Sequence, residues 1–135
     1  MDCIFCKIVA GQIPTKIIGQ TSHSVAFLDA FPLAKGHTLV IPKYHHAKIQ
    51  DMSAEENSDL FSLVHDVLPK VDELTGSTLV AVHNGKEAGQ EIQHVHVHLV
   101  PRSKDDSAGP IHSMFEPKKF SDSEIQEIYK KLVSQ

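Results

Sequence analysis

Histidine alternates with apolar residues in the segment QHVHVHLVPR (residues 93–102), and this pattern is typical of an extended strand. Successive side chains of a strand point to opposite faces, so His94, His96 and His98 share one face while the intervening apolar residues face a core. The strand ends at Pro101, which has no backbone N–H to donate. On a straight strand rising about 3.3 Å per residue, the outer two imidazoles lie roughly 13 Å apart. The three rings then cannot all bind one metal ion, which favours divided roles for them.

The other segments predict an α+β fold in a single domain covering residues 1–135, with about five antiparallel strands. Ser53 and Glu56 form a capping box that opens a long central helix, which Gly76 ends and which Pro69 is expected to kink. A short helical turn precedes the first strand, and the sequence SDSE (121–124) caps a C-terminal helix that ends at about Val133. The predicted strands cover residues 15–21, 24–30, 37–42, 77–84 and 92–100.

Composition excludes several classes of protein. The chain has 135 residues, a formal charge of -4 and a pI of about 6.2, which does not fit the basic surface of a nucleic-acid-binding protein. No apolar run approaches the length of a membrane span, and the N-terminus lacks the basic region of a signal peptide. We therefore expect a cytoplasmic protein with neither a membrane nor a nucleic-acid partner. Ten histidines are the unusual feature of the composition.

The histidine row has three interpretations at this point. It is the solvent-facing side of an amphipathic strand, or it supplies ligands to a catalytic zinc ion, which requires further ligands nearby. In the third, a neutral imidazole attacks phosphorus and an imidazolium protonates the leaving group. The adjoining loop NGKEAGQE (84–91) favours this last interpretation, because its glycines let backbone N–H groups approach a phosphate.

The segment HVHVHLV after AGQ resembles the motif of the histidine triad family, in which three histidines alternate with apolar residues. GHTLVIPKYH (36–45) and IFCKIVAGQIPTKII (4–18) are also similar to that family, in the same order and spacing. The resemblance covers residues 3 to 102, and residues 103–135 form a C-terminal extension that matches only loosely.

This resemblance implies a hydrolase or transferase that cleaves purine nucleotide conjugates of the phosphoramidate type. The middle histidine, His96, would attack the α-phosphorus and form a covalent nucleotidyl-histidine. His98 would donate to a phosphate oxygen or assist the leaving group, and His37 and His94 would complete the catalytic set. No role is predicted for His23, His65, His83 and His112, for which a surface position is preferred.

The resemblance also implies a nucleotide-binding set. Asp29 would accept hydrogen bonds from both ribose hydroxyls, with Ala30 beside it. Glu91 stands where the phosphoramidate-cleaving branch usually has a serine, so we expect its side chain to turn away and its backbone N–H to remain in use. The base would contact Phe5, Ile8, Ile13, Phe27 and Leu39, and the phosphates would contact Asn84, Gly89, Gln90 and Glu91.

The pair Cys3 and Cys6 has a C-x-x-C spacing, which on residue grounds indicates a redox pair, half of a zinc site, or two reduced thiols without metal. The family resemblance implies one structural zinc ion per chain, bound by Cys3, Cys6, His45 and His94. His46 is an adjacent competitor for the place of His45.

Two further functions remain open at this stage. One is a dinucleoside polyphosphate hydrolase with the same nucleophile, and the other is a nucleotide-binding module with little turnover. Members of the resembled family usually form homodimers, so a homodimer is expected here as well.

Overall fold

The computed structural model describes residues 2–134. Up to residue 104, the α-helices and β-strands in chain order are α1 (Ile4–Val9), β1 (Ile17–Gln20), β2 (Ser24–Leu28), β3 (Thr38–Pro42), α2 (Ala54–Asp72), β4 (Thr78–Ala81) and β5 (Val97–Pro101). The five strands form one sheet in the order β1-β2-β3-β5-β4, and every neighbouring pair is antiparallel. The α+β class, the five-stranded antiparallel sheet and the long central helix are confirmed.

The chain clusters into two compact units, one ending at Lys104 and the other beginning at Asp105. The sheet, α1 and α2 belong to the first unit. The second unit contains a 3₁₀ turn (Ile111–Met114) and α3 (Asp122–Val133), which confirms the predicted C-terminal helix. Its predicted cap is present, since Ser121 Oγ accepts from the Glu124 N–H at 3.2 Å.

The central helix α2 begins as predicted. Ser53 Oγ accepts from the Glu56 N–H at 3.0 Å, and the Glu56 carboxylate accepts from the Ser53 N–H at 3.0 Å. The helix runs through Pro69 to Asp72, and the backbone turns at Gly76, whose φ is +93°. The apolar face of the helix buries Leu60, Leu63, Val64, Val67 and Val71.

The two faces of the sheet carry different layers. On one face, α2 packs against Ala26, Val40, Val97 and Leu99. On the other face, a second cluster joins Cys3 and Phe5 near α1 to side chains of β2 and β3: Val25, Phe27, Leu39 and Ile41. The predicted division between histidines and apolar residues around β5 is therefore present, with the apolar residues packed on α2.

The predicted strand over residues 92–100 is wrong in its first half. Only Val97–Pro101 is a strand, and the backbone before it bends, with the His94 N–H donating to the Ile92 carbonyl at 2.8 Å. The Val95 N–H donates to the carbonyl of His46 rather than to a strand, also at 2.8 Å. Because the backbone bends there, the separation expected on a straight strand does not apply.

Candidate active site and metal centre

The three histidines of the row occupy different environments. His94 and His96 lie in the irregular segment before β5, and His98 lies within β5. The ring centroids of His96 and His98 are 4.9 Å apart. Phe5 of α1 packs edge-on against His94 and His96, with centroids 5.7 Å and 5.1 Å away. Thus α1 contacts both the first and the second histidine of the row.

The first histidine of the row faces the two cysteines. Its Nε2 lies 2.8 Å from the carbonyl oxygen of Pro42, so Nε2 carries the proton and donates, and Nδ1 keeps a lone pair. That Nδ1 lies 3.6 Å from the Sγ atoms of both Cys3 and Cys6. His45 Nδ1 is 3.5 Å from Cys6 Sγ. Ligand atoms in a tetrahedron about 2.0–2.3 Å from a zinc ion lie roughly 3.3–3.8 Å apart, so these distances match a closed site.

All four residues predicted as metal ligands are thus together, and their ligand atoms lie within 4.8 Å of one another. Burial lowers the pKa of His94 to about 4, which keeps the imidazole neutral and able to bind a cation. Without an ion, burial followed by the neighbouring Cys3 thiol raises the pKa of Cys6. A divalent cation would reverse that effect by stabilising the thiolate. His46, the competing candidate, instead directs its Nε2 to the Glu56 carboxylate at 2.8 Å.

The second histidine, His96, is 7% exposed and held in one tautomer. Its Nδ1 lies 2.7 Å from the carbonyl oxygen of His94, so Nδ1 carries the proton and donates. The lone pair of the neutral ring is then on Nε2. Burial lowers the pKa of His96, which favours this neutral form. A neutral imidazole with a fixed lone pair has the properties of a nucleophile.

Hydrogen bonds also fix the proton position on His98. His37 Nδ1 accepts from the Leu33 N–H at 3.0 Å, so its proton is on Nε2. His37 Nε2 lies 3.0 Å from His98 Nδ1 and 3.6 Å from Asp29 Oδ2. His37 therefore donates to His98 Nδ1, and the proton of His98 is on Nε2. Within residues 2–134, that buried Nε2 has no hydrogen-bond partner, so it is a donor available to a ligand.

Burial and the neighbouring imidazoles favour the neutral state of His37 and His98. Burial, then the neighbouring His96, His37 and His83, lowers the pKa of His98 to about 4. Burial also lowers the pKa of His37, with Asp29 opposing the shift. Asp29, His37 and His98 bring ligand atoms within 4.8 Å as well. The hydrogen bonds from Leu33 to His37 to His98 account for that grouping without an ion.

A cavity of about 420 Å³ opens over the α1 side of the sheet. One end is apolar and the other contains histidine rings, an arrangement suited to a base and its phosphate. Asp29 also lines the cavity, and its Oδ1 accepts from the Phe31 N–H at 2.9 Å. The predicted residues that line the cavity are Phe5, Ile8, Ile13, Phe27, Asp29, Ala30, His37, Leu39, Gly89, Glu91, His96 and His98.

Two predicted phosphate contacts lie elsewhere. Asn84 accepts from the Ile49 N–H at 2.9 Å and donates to Gln50, and it is absent from the cavity lining. Gln90 is buried, accepts from the Gly85 N–H at 2.9 Å and donates to the Ala47 carbonyl at 2.7 Å. Both side chains brace the glycine-bearing loop against residues 47–50.

The backbone of that loop is also largely engaged. The N–H groups of Ala88, Gly89 and Gln90 donate to the carbonyls of Gly85 and Lys86 at 3.0–3.2 Å. These three N–H groups therefore serve the loop itself, whereas the buried Nε2–H of His98 is without a partner among the described residues.

Sequence reasoning missed His83, which lines the cavity. Its ring centroid lies 5.6 Å from that of His98. A usable signal existed in the strand pairing, because Ala81 of β4 is the register partner of His98. By strand alternation, the residue two positions further on can lie on the same face. The prediction named Asn84 as a phosphate contact and gave its neighbour His83 no role.

Comparison with known proteins agrees with this geometry. The model of the HIT domain matches residues 10–105. The chain belongs to the HIT family. Among its HIT relatives, an adenosine 5'-monophosphoramidase of Schizosaccharomyces pombe is 42% identical over 106 residues, covering 78% of each chain. The protein hit of Bacillus subtilis is 39% identical, over 82% of this chain and 78% of that one.

Solved HIT structures resemble the fold closely. A HIT family protein from Bacillus subtilis superimposes with a TM-score of 0.90 at 29% identity, covering 100% of this chain and 97% of that one. A zinc-bound histidine triad protein from Mycobacterium smegmatis gives a TM-score of 0.73 at 33% identity over 79% of each chain. None of the helices formed by the described residues combines the length and apolarity needed to cross a bilayer.

Proposed function

We propose that this HIT protein is a hydrolase that cleaves purine nucleotide conjugates of the phosphoramidate type through a covalent nucleotidyl-His96. The observation that carries the proposal is the tautomer of His96, whose Nδ1–H is held by the His94 carbonyl so that its Nε2 lone pair is free. His96 also lines the cavity where a nucleotide would bind. The relatives named as adenosine 5'-monophosphoramidases support the same reaction class.

In this proposal the nucleoside occupies the apolar end of the cavity. Phe5 and Phe27, whose rings meet edge-to-face at 5.9 Å, are buried and form a rigid wall for the base, together with Ile8, Ile13 and Leu39. Asp29 accepts from the ribose hydroxyls with Oδ2, since Oδ1 is already engaged with Phe31. Ala30 lies beside it without competing polar groups.

At the phosphate end, His98 donates its unpartnered Nε2–H to a non-bridging oxygen. His37 fixes this tautomer of His98 by donating a hydrogen bond to its Nδ1. Gly89 and Glu91 border the phosphate, while Asn84 and Gln90 act indirectly by bracing the loop. The nucleophile then attacks phosphorus, and water releases the nucleotide from His96 in a second step.

We also propose that one zinc ion per chain is bound by Cys3, Cys6, His45 and His94. Four protein ligands close the tetrahedron, so the ion's role is structural. It would fix α1 and the His94 ring, whose carbonyl orients the nucleophile. Metal analysis of protein purified without added zinc or chelator tests this proposal. About one zinc per chain is expected, and metal-free protein with the wild-type melting temperature contradicts it.

A homodimer is the assembly we propose. β4 is at the edge of the sheet, and Leu79 and Val80 are 41% and 44% exposed there. An apolar edge strand of this kind is suited to pairing with a second copy. Sedimentation at micromolar concentration should give twice the mass of the chain, and a single-chain mass contradicts the assembly.

Substrate preference tests the proposed reaction. The loop that borders the cavity carries Glu87 and Glu91 with Lys86, in a chain of net charge -4. A long anionic polyphosphate is therefore less favoured than a phosphoramidate. We expect a higher kcat/KM for adenosine 5′-phosphoramidate than for diadenosine tetraphosphate at equal salt. The opposite preference would make the protein a dinucleoside polyphosphate hydrolase, and tight binding without turnover of either would make it a binding module.

A further inference from the structure

His83 lies at the phosphate end of the cavity and has no role in the function proposed so far. It follows β4 closely, is half-buried and has its ring 5.6 Å from that of His98 at an interplanar angle of 63°. Among the described residues, its ring nitrogens have no hydrogen-bond partner. Two other rings of the site, His37 and His98, are hydrogen-bonded to each other, whereas neither nitrogen of His83 is engaged by a described residue.

The loop leaves room for this ring. Gly89 has a φ of +107°, and a Cβ atom there would lie 3.3 Å from Cδ2 and 3.5 Å from Nε2 of His83. The distance to Cδ2 is tighter than most Cβ contacts, and the positive φ disfavours any other residue at this position. Glycine at position 89 therefore leaves space for the His83 ring and also permits the left-handed backbone turn.

A leaving amine needs a proton, and His98 is poorly placed to supply one. To act as an acid it would have to carry protons on both nitrogens, but its Nδ1 faces the Nε2–H of His37. His37 cannot change tautomer without losing the bond that its Nδ1 accepts from the Leu33 N–H. The pKa of about 4 for His98, caused first by burial, is consistent with a ring that stays neutral.

His96 cannot supply the proton either, because its Nδ1–H is held by the His94 carbonyl and its Nε2 forms the bond to phosphorus. Asp29 is engaged at the ribose end and lies next to His37. Of the imidazoles that line the cavity, His83 remains as the one that can be cationic without breaking an observed hydrogen bond and without blocking the nucleophilic nitrogen of His96.

We propose that His83 is the general acid that protonates the leaving amine, and that this chain is thereby adapted to nucleotide conjugates of basic alkylamines. The inference rests on the proposed function. In the first step the His96 Nε2 lone pair forms a bond to phosphorus, and the P–N bond to the amine breaks. The bonding pair goes to the leaving nitrogen, which takes a proton from the His83 imidazolium and departs as a neutral amine.

In the second step water attacks phosphorus, and the bond between phosphorus and His96 Nε2 breaks, returning its electron pair to the ring. The proton released by the water passes to His83, which restores the imidazolium. Each proton that leaves His83 in the first step is thus replaced in the second, and no outside acid or base is consumed.

Two adenosine 5′-monophosphate derivatives test the proposal, one with an alkylamine leaving group and one with 4-nitrophenolate. The alkylamine requires a proton, whereas 4-nitrophenolate leaves without one. We expect His83→Ala to slow the release of the alkylamine in a single turnover by about 10²-fold or more, the range for a lost general acid. Release of 4-nitrophenolate should change by less than about 5-fold, because no proton transfer is lost.

Two further variants sharpen the result. His83→Gln keeps a hydrogen-bond donor but cannot transfer a proton, so it should be as slow as His83→Ala with the alkylamine. His65→Ala is the matched control, since His65 is exposed on α2 outside the cavity lining and should behave as wild type. Unchanged melting temperature and adenosine monophosphate affinity show that a slow variant is folded.

Equal losses on both substrates, or recovery of the alkylamine rate in His83→Gln, would overturn the assignment of His83. The His96→Ala variant gives a separate readout for the function on which it rests, because release of 4-nitrophenolate should require the nucleophile. Loss of that release in His96→Ala, with no selective loss in the His83 variants, refutes the role of His83 alone. Release by His96→Ala within tenfold of wild type refutes the covalent mechanism and the role of His83 with it.

Discussion

At the scale of single residues, the site is defined by which nitrogen of each imidazole carries the proton. Backbone carbonyls and N–H groups decide this at His94, His96 and His37, and His37 decides it at His98. The tautomer of each ring is thus fixed by the fold before any ligand binds. Preorganised donors of this kind need no rearrangement during the reaction.

The charge state of His98 gives a prediction about pH. Its pKa is lowered to about 4 in the folded chain, first by burial and then by neighbouring imidazoles, against an ordinary value near 6.5. Below pH 6.5 the unfolded chain binds a proton that the folded ring refuses. The associated stability is complete above that pH and declines as the pH falls toward 4. NMR titration of the His98 ring should show no protonation between pH 8 and 5.5, and a midpoint near 6.5 contradicts the account.

Asp29 provides a second prediction. Asp29→Ala removes the proposed acceptor for the ribose hydroxyls and should weaken adenosine monophosphate binding by about 1–3 kcal/mol. The 2′,3′-dideoxy analogue should lose much less. Calorimetry on both ligands separates this role from the hydrogen bond that Asp29 makes to the Phe31 N–H. Equal losses on the two ligands mean that Asp29 acts only by holding the loop.

At the scale of elements, α1 and the start of α2 position the segment that carries the proposed nucleophile, His96. Glu56 caps α2 and also accepts from His46, and the carbonyl of His46 accepts from the Val95 N–H between His94 and His96. Together these bonds connect the N-terminus of α2 to the irregular segment before β5.

Glu56→Ala should therefore destabilise the fold by about 1–2 kcal/mol, since it removes a cap and a second hydrogen bond. The pKa of Glu56 is held low, first by the Ser53 N–H, so this stabilisation is present at neutral pH and is lost as the pH falls through the lowered pKa. Denaturant unfolding at pH 7 measures the change. Glu55→Ala, at a side chain 82% exposed, is the control, with an expected change below about 0.5 kcal/mol.

The metal cluster makes a prediction about α1. Cys6→Ser should lower the melting temperature more than it lowers turnover at 25 °C, because a structural metal contributes to folding. The ion would add to the packing of Phe5 against the sheet, because a helix of six residues is not stable by itself. Calorimetry and a turnover assay on the same protein decide the matter. Full loss of turnover with unchanged melting temperature would assign the metal a chemical role.

Particular elements show how far sequence reasoning reached. Both capping boxes were predictable because Ser and Glu three residues apart satisfy backbone groups locally. The bend at residues 92–96 was not, because it depends on bonds from Val95 to His46 and from His94 to Pro42, some 50 residues away along the chain. The position of Asn84 outside the cavity lining was not predictable for the same reason. Asn84 binds Ile49 and Gln50 across the fold, which sequence spacing does not reveal.

At the scale of the whole molecule, the sheet lies between the hydrophobic core and the proposed active site. The helix α2 packs on one face, and the cavity with its imidazoles lies on the other. Every residue of the proposed active site and metal centre precedes Lys104, within the first compact unit. That unit has its own buried core, as an independently folding domain requires.

A chain ending at Lys104 is therefore expected to fold, to bind zinc and to turn over adenosine 5′-phosphoramidate within about threefold of the full chain. Circular dichroism, metal analysis and the turnover assay check the three properties. Loss of turnover with folding intact would show that residues from Asp105 onward contribute to the reaction.

The assignment of His96 as the nucleophile can be examined in a quenched single-turnover reaction. Adenosine 5′-phosphoramidate labelled in the adenosine is mixed with excess protein, stopped at alkaline pH within one turnover and digested for peptide mass analysis. We expect an acid-labile adenylyl group on His96. This group should be absent in His96→Ala, whose affinity for adenosine monophosphate is retained. Label on another residue, or turnover of His96→Ala within tenfold of wild type, would contradict it.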